Sequence, residues 1–436
     1  MWYEDCIYYQ IYPLGFCGAP MQNDGQLAHK MEKVTDWIPH LQKLGIGAVL
    51  FNPLFESDAH GYDTRDYKKV DVRLGTNEDF KAVCDALHSA GMKVVLDGVF
   101  HHVGRGFWAF EDVRQNRENS PYRDWFQIDF GGDSNYGDGF WYEGWEGHFE
   151  LVKLNLSNPA VTDYLLSCVS FWMDEFSIDG IRLDVAYLLP HDFMRRLHSH
   201  VRQNRPDFFL LGEMLHGDYK GIVNDEMLQS ATNYECYKGL FSSLNSHNLF
   251  EIAYSLSRQF GPEDWTLYKG LPLFNFVDNH DVTRAATILS EKKHLPLLYG
   301  MLFGMPGIPS LYYGSEWGAE GDKSEGDAAL RPAFEKPLEN DLFALIVKMC
   351  QVYNSSDALR HGAYRQVYLT NQQFLFERKT GAQRILVALN AENASHTAHF
   401  DAGAGMATDL LSGQTVDFGG GFDMGPYSIQ FLEMEH

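Results

Sequence analysis

Charged and imidazole side chains stand at the ends of successive apolar runs in this sequence. One run stops in Asp97-Gly-Val-Phe-His101-His102, a second carries Arg182 and Asp184, a third ends at Glu213 and a fourth at Asp278-Asn-His280-Asp281. Arg182 and Asp184 are two apart, so on a strand they share one face. Carboxylates, an arginine and imidazoles are the groups of acid–base chemistry, and gathered in one place they would be costly as mere structure. Any one of them alone is more often a solvated loop residue. Charged ends on several strands in succession point instead to a site. A zinc reading of His101 and His102 with Asp97 is conceivable, but adjacent residues on a strand point to opposite faces, which argues against joint ligation.

The elements that must position these groups alternate in type. Strand candidates are Cys6–Phe16, IGAVLFNPLF from Ile46, MKVVLDGVF from Met92, DGIRLDVA from Asp179, FFLLGEML from Phe208, LPLFNFVDNHD from Leu271 and IPSLYYG from Ile308. A sixth, SATNYECY from Ser230, carries the weakest pattern. Amphipathic stretches separate them. MEKVTDWIPHLQKLG reads as one helix ending at Gly45, and LFSSLNSHNLFEIAYSLSRQF as another. Thr76 with Asp79 three residues on forms a capping box for the helix that stops at Gly91, and Asn158-Pro159 supplies an N-cap and a first-turn proline for the next. Eight strands alternating with helices predict a parallel sheet closed as a (β/α)₈ barrel, whose strand C-termini face the ligand-binding mouth.

Two segments break the rhythm. Residues 103–156 are rich in Gly, Asp and aromatics and predict a small domain inserted after strand three. From about Ser355, alternating runs such as QVYLT, QFLFERK, RILVALN and SIQFLEM predict a C-terminal antiparallel β-sandwich. The expected layout is barrel 1–102, insertion 103–156, barrel 157–354 and β domain 355–436.

Composition narrows the function. Apolar residues at 45% and charged residues at 22% of 436 exclude disorder, collagen and coiled coil. A net charge of −24 repels phosphate backbones, so nucleic acid is not an expected partner. The six cysteines are scattered without a CxxC pair, the N-terminus has neither basic nor apolar signal regions, and the apolar tract His294–Gly314 is interrupted by Pro306 and Pro309. A soluble cytoplasmic protein without membrane contact is the expectation. Aromatics make up 14% of the chain, which suits either large cores or flat platforms for ligands.

GYDTRDY (61–67), DGVFHH (97–102), GIRLDVA (180–186), GEMLH (212–216) and FVDNHD (276–281) together resemble the ordered signatures of the α-amylase family, glycoside hydrolase family 13. LVKLNLSNPAV and the histidine after GEML resemble its neopullulanase, cyclomaltodextrinase and maltogenic amylase branch, without the N-terminal β domain usual there. The resemblance implies retaining cleavage of α-1,4-glucosidic bonds in maltooligosaccharides or cyclodextrins through a covalent glycosyl-enzyme intermediate. It implies that Asp184 is the nucleophile, Glu213 the general acid/base and Asp281 the third carboxylate. Tyr62, His102 and His280 match residues contacting the sugar, and Arg182 would keep Asp184 ionised and oriented. Asp97 and Asp278 read as supports.

His101 stands where many family members have a calcium-ligating Asn. Imidazole suits a hard cation poorly, so no metal and no cofactor are expected. Trp108, Trp125, Phe140, Trp141, Tyr142 and Trp145 of the insertion read mainly as its core, with one or two stacking on sugar. Trp317 and Arg331 are further candidates flanking the site. The expected partner is an α-glucan oligosaccharide, and the expected state a monomer. The alternatives on the same carboxylates are a transglycosylase of trehalose synthase or glucanotransferase type and an α-1,6-glucosidase. Outside the enzymes stands a non-catalytic glucan-binding relative, against which the intact carboxylate set argues.

Overall fold

The structure is a computed structural model and describes residues 1–403 and 405–434. Its parallel strands are β1 (Ile7–Ile11), β2 (Ile46–Phe51), β3 (Lys93–Gly98), β4 (Gly180–Leu183), β5 (Phe209–Gly212), β6 (Ser230–Ala231), β7 (Phe274–Asn275) and β8 (Ile308–Tyr312). Across the sheet the order is β6-β5-β4-β3-β2-β1-β8-β7. Beyond β6, Thr232 forms a parallel bridge to Phe274 of β7, so the two end strands meet in the manner of a (β/α)₈ barrel. The strands are short, apolar and buried, as parallel strands covered on both faces must be.

The chain forms two compact units, one of Ile11–Ile38 with Ala48–Ala231, the other of Met1–Gln10, Pro39–Gly47 and Thr232–His436. In the first, helix α1 (Asn77–Ser89) begins with the predicted capping box: Asp79 N–H donates to Thr76 Oγ1 at 3.2 Å and Thr76 N–H to Asp79 Oδ2 at 2.8 Å. Helix α2 (Pro159–Glu175) starts at the Asn158 cap and buries Val161, Leu165, Val169 and Trp172. The Trp172 ring stacks on Phe55 at 4.6 Å and donates its indole N–H to the Tyr67 carbonyl at 2.6 Å. Truncating such a ring to Ala costs about 3–5 kcal/mol.

The insertion closes on itself. Strand His102–Gly104 pairs antiparallel with His148–Lys153, and a nine-residue helix, Trp108–Asn116, lies between them in sequence. The sequence predicts no amphipathic helix of normal length there, and this one is short, burying Ala109, Phe110 and Val113 behind its N-cap Phe107.

In the second unit, α3 (Tyr234–Asn245) and α4 (Phe250–Phe260) replace the single helix expected from Leu240 to Phe260. His247 breaks it with φ 51, in the left-handed region. The sixth strand is also shorter than SATNYECY suggests, because Asn233 caps α3 through its side chain and turns the rest helical. Residues 32–43 form two short helices, Glu32–Asp36 and Ile38–Lys43, rather than one. Pro39 explains the break, since its ring would clash with the carbonyl four residues back.

Helix α5 (Leu295–Gly304) is buried on every side, which disposes of the membrane-like tract. Among the described residues no helix is long and apolar enough to cross a membrane. The C-terminal strands β9 (Ala363–Leu369), β10 (Gln373–Lys379), β11 (Arg384–Asn390), β12 (Met406–Asp409), β13 (Thr415–Asp417) and β14 (Ser428–Met434) form an antiparallel sheet in the order β9-β10-β11-β14-β12-β13. A two-stranded ladder, His396–Ala398 with Phe422–Met424, packs on it around Leu375, Leu386, Phe422, Met424 and Leu432.

Candidate active site

Strand register assembles the first part of the site. Arg182 of β4 lies directly opposite Asp97 of β3, and Leu183 opposite Gly212 of β5, which carries Glu213 to the adjacent position. The Glu213 N–H donates to the Leu183 carbonyl at 2.9 Å, extending that ladder by one residue. The Arg182 guanidinium, 3% exposed, then touches three carboxylates. Nη1 meets both oxygens of Asp97 at 2.7 Å and Asp184 Oδ1 at 3.1 Å, and Nη2 meets Glu213 Oε1 at 2.7 Å. Burial by itself works against the guanidinium charge, but Asp97 and Glu213 outweigh it and hold the Arg182 pKa well above its usual value. Three carboxylates thus share one permanent cation.

The second oxygen of Glu213 is held by backbone. Val185 N–H donates to Oε2 at 2.9 Å. Val185 adopts φ 42, ψ 44, a left-handed conformation in which a β-branched residue is strained. Valine's residue type gives no sign of this conformation.

Tyr62 and Asn52 complete this network. Tyr62 donates its hydroxyl to Asp97 Oδ2 at 3.2 Å, and Asn52 Nδ2 reaches both the Tyr62 oxygen at 3.2 Å and Asp97 Oδ2 at 3.1 Å. The Tyr62 ring is half-buried at the end of a tight loop. Gly61 makes that loop possible: at φ 89 it lies so close to Pro53 that a Cβ would fall 3.0 Å from the proline ring. Asp63 Oδ1 accepts from the His60 and Gly61 N–H groups, both at 3.1 Å.

His102 opens the short strand His102–Gly104, where the barrel segment passes into the insertion. Its Nδ1 lies 3.2 Å from His101 Nδ1, so one ring donates to the other. Burial, reinforced by His101, keeps its pKa well below the usual histidine value, so the ring is neutral at pH 7. His102 Nε2 is buried with no partner among the described residues, as is the indole Nε1 of Trp145, whose ring centroid lies 6.0 Å away. Two orphaned polar atoms close together are what a hydroxyl-rich ligand would satisfy. Of the insertion's aromatics, Trp125, Phe140 and Tyr142 are core, while Trp108 and Trp141 are exposed. Trp145 is the one this geometry favours for sugar contact.

The His101 surroundings do not fit a calcium ion. Its pKa falls to about 4, through burial first and the Lys153 charge second, and two imidazoles beside an ammonium form no oxygen cage. Among the described residues no group of three or more His, Cys, Asp or Glu is placed to hold a metal.

In the other unit, His280 and Asp281 form a second cluster. The Gln10 amide of β1 lies 2.9 Å from His280 Nδ1, and with that amide donating, Nε2 carries the proton to Asp281 Oδ2 at 2.9 Å. Arg331 fixes the other carboxylate oxygen from Nη2 at 3.0 Å and also donates from Nε to the His280 carbonyl. His280 is fully buried, whereas the Asp281 side chain is 35% exposed. Asp278 accepts from Ser315 Oγ at 2.7 Å and from Ala285 N–H at 2.8 Å. Trp317 is a core residue against His40 and Phe334 rather than a cleft residue. Gln10 escaped the sequence reading, although an amide inside the apolar run CIYYQIYP was a signal.

Residues 10–361 match the model of the α-amylase catalytic domain. A cyclomaltodextrinase from Bacillus sp is 32% identical over 426 residues, covering 91% of this chain and 74% of that protein. Among solved structures, a cyclomaltodextrinase superposes with a TM-score of 0.87 at 29% identity, covering 100% of this chain and 78% of the other. A cyclic α-maltosyl-(1→6)-maltose hydrolase from Arthrobacter globiformis superposes at 0.85 with 25% identity and 100% coverage of both chains.

Proposed function

The chain belongs to the α-amylase family of glycoside hydrolases, and from that premise we propose that it cleaves α-1,4-glucosidic bonds of maltooligosaccharides or cyclodextrins with retention. In the proposed reaction an Asp184 oxygen attacks the anomeric carbon while Glu213 gives its proton to the departing glycosidic oxygen. Water then attacks the glycosyl-Asp184 ester, Glu213 takes its proton, and the sugar leaves with its configuration restored. The observation that carries this reading is the single guanidinium of Arg182 bonded to Asp184 at 3.1 Å and Glu213 at 2.7 Å. One fork spanning both groups suits the short carboxyl separation of about 5–5.5 Å that retention requires.

The remaining roles follow from placement. Tyr62, braced by Asp97 and Asn52, offers a ring face to the sugar. His102, neutral and with Nε2 unpartnered, hydrogen-bonds a sugar hydroxyl. Asp281, clamped by His280 and Arg331, presents a fixed carboxylate to sugar hydroxyls. Neither metal nor organic cofactor enters this scheme. All six cysteines are unpaired, in keeping with the proposed intracellular setting.

The Arthrobacter hydrolase, whose substrate is a cyclic maltosyl-(1→6)-maltose, covers the whole of this chain and gives a second reading: cleavage of small cyclic substrates containing α-1,6 links. Incubation with maltotriose, β-cyclodextrin, pullulan and maltose, with products resolved by chromatography, separates the two. Release of maltose and glucose from β-cyclodextrin supports the first. No product from any α-glucoside overturns both.

A further inference from the structure

Arg378 is a buried guanidinium without a carboxylate. It lies on β10 at 1% exposure and donates from Nε to the Gly362 carbonyl at 3.1 Å and from Nη1 to the Gly304 carbonyl at 2.8 Å. Gly304 ends α5, so its carbonyl belongs to the negative end of that helix dipole. That supplies a fractional charge against a full one. Nη2 has no acceptor among the described residues. Of the other deeply buried arginines, Arg73 meets Asp71 at 2.7 Å and Arg182 meets Asp97 at 2.7 Å. Arg284, by contrast, donates to the Tyr313 and Leu330 carbonyls and to Ser315 Oγ, and is not part of the cavity wall that Arg378 joins. Burial without an anion drags the Arg378 pKa down to about 10.

Arg378 lines a cavity of about 390 Å³ that also presents Lys269, Arg360 and His361, with Glu4 the only carboxylate on its wall among the described residues. Behind the wall, Asp5 takes Arg360 at 3.5 Å and His361 at 2.7 Å. Three permanent cations around one pocket invert the local charge of a chain whose net charge is −24. The rest of the wall is largely apolar, from Phe260, Leu271, Pro272 and Ile308. The cavity lies where β7 and β8 begin, at the opposite end of those strands from the segment that carries His280 and Asp281.

The geometry points to a binding site for a phosphate monoester, its phosphate on the open edge of the Arg378 fork and its ring against the apolar wall. A guanidinium fork matches two phosphate oxygens at once, and Lys269 and Arg360 can neutralise the remaining charge. The sugar phosphates and the nucleotides share this chemistry.

The test is calorimetric titration of the full chain with inorganic phosphate, glucose 1-phosphate and AMP at constant ionic strength, with sodium chloride as the control salt. Saturable one-site binding of an ester, tighter than that of inorganic phosphate, is expected. Tighter glucose 1-phosphate marks the sugar-phosphate source, and tighter AMP the nucleotide. The double variant Lys269→Ala/Arg360→Ala should weaken binding roughly tenfold or more. Arg378→Met should abolish it, but that variant can fail to fold because it strips two buried carbonyls of their donor. The double variant alters only the pocket's rim and keeps the test decisive. No saturable binding of any of the three, or binding that the double variant leaves unchanged, overturns the proposal. The readout is independent of glucan hydrolysis.

Discussion

Replacing Arg182 with Met should reveal what holds the carboxylate cluster in place. The guanidinium makes contacts of 2.7, 3.1 and 2.7 Å with Asp97, Asp184 and Glu213, none of whose side chains is more than 8% exposed. Removing one member of a buried ion pair costs about 3–5 kcal/mol, because the charge left behind has lost both water and partner. Unfolding 436 residues carries an entropy of about 0.9 kcal/mol/K, so the Tm should fall by about 3–5 °C. Scanning calorimetry of the two proteins under one set of conditions measures the loss. Arg182→Lys should fall between, since one ammonium restores charge but not the two-sided fork. An unchanged Tm for Arg182→Met, or a Lys variant no more stable than the Met variant, would refute the argument.

Glu213→Gln keeps the acceptor for Val185 N–H but has no proton to give; kcat on maltotriose should fall about 10²–10⁴-fold while calorimetry still detects maltooligosaccharide binding. Gln10→Leu frees the His280 tautomer, which the Gln10 contact at 2.9 Å sets, so kcat/KM should drop about tenfold while the melting temperature, read by circular dichroism, changes little. Trp145→Ala should raise KM for maltotriose with kcat nearly unchanged, if the indole serves binding alone; an equal fall in kcat would assign it to the reacting ring instead.

Much of this arrangement was legible because it rests on patterns of local origin. Short apolar runs located the strands, although the first ends at Ile11, before the helix Pro13–Phe16, and the seventh keeps only Phe274–Asn275. The charged residues at the run ends were the ones the register then brought together, Asp97 opposite Arg182 and Glu213 one step past Gly212. Where two local signals competed, the reading went astray. In SATNYECY, Asn233 could belong to a strand or cap a helix; its side chain accepts from Cys236 N–H, and the helix prevailed. MEKVTDWIPHLQKLG kept a helical period through Pro39, and the proline overrode it. Gln10 was hidden by averaging, since one amide among apolar neighbours barely shifts a hydrophobic run. The orphaned atoms of His102 and Trp145 depend on the fold of the insertion, which no single stretch of sequence encodes.

Val185 lies inside the GIRLDVA signature, but nothing in its residue type announces a left-handed turn, and its strain is best understood through its neighbour. A valine at φ 42, ψ 44 stores about 1–3 kcal/mol. This residue leads from β4 into a 3-10 turn at Ala186–Leu188 and aims its N–H at Glu213 Oε2, 2.9 Å away. The two carboxyl groups of the proposed reaction are thus tied together twice, through Arg182 and through this amide. Val185→Gly tests whether the strain is real. Removing a buried Val side chain and adding glycine's flexibility should cost about 3–4 kcal/mol in ordinary backbone, but relief of the left-handed strain should lower that loss by about 1–3 kcal/mol. The amide survives, so activity should fall only as far as Glu213 gains freedom. A full-sized loss of stability in thermal denaturation would mean that no strain is held there, and the turn would then be an ordinary consequence of packing.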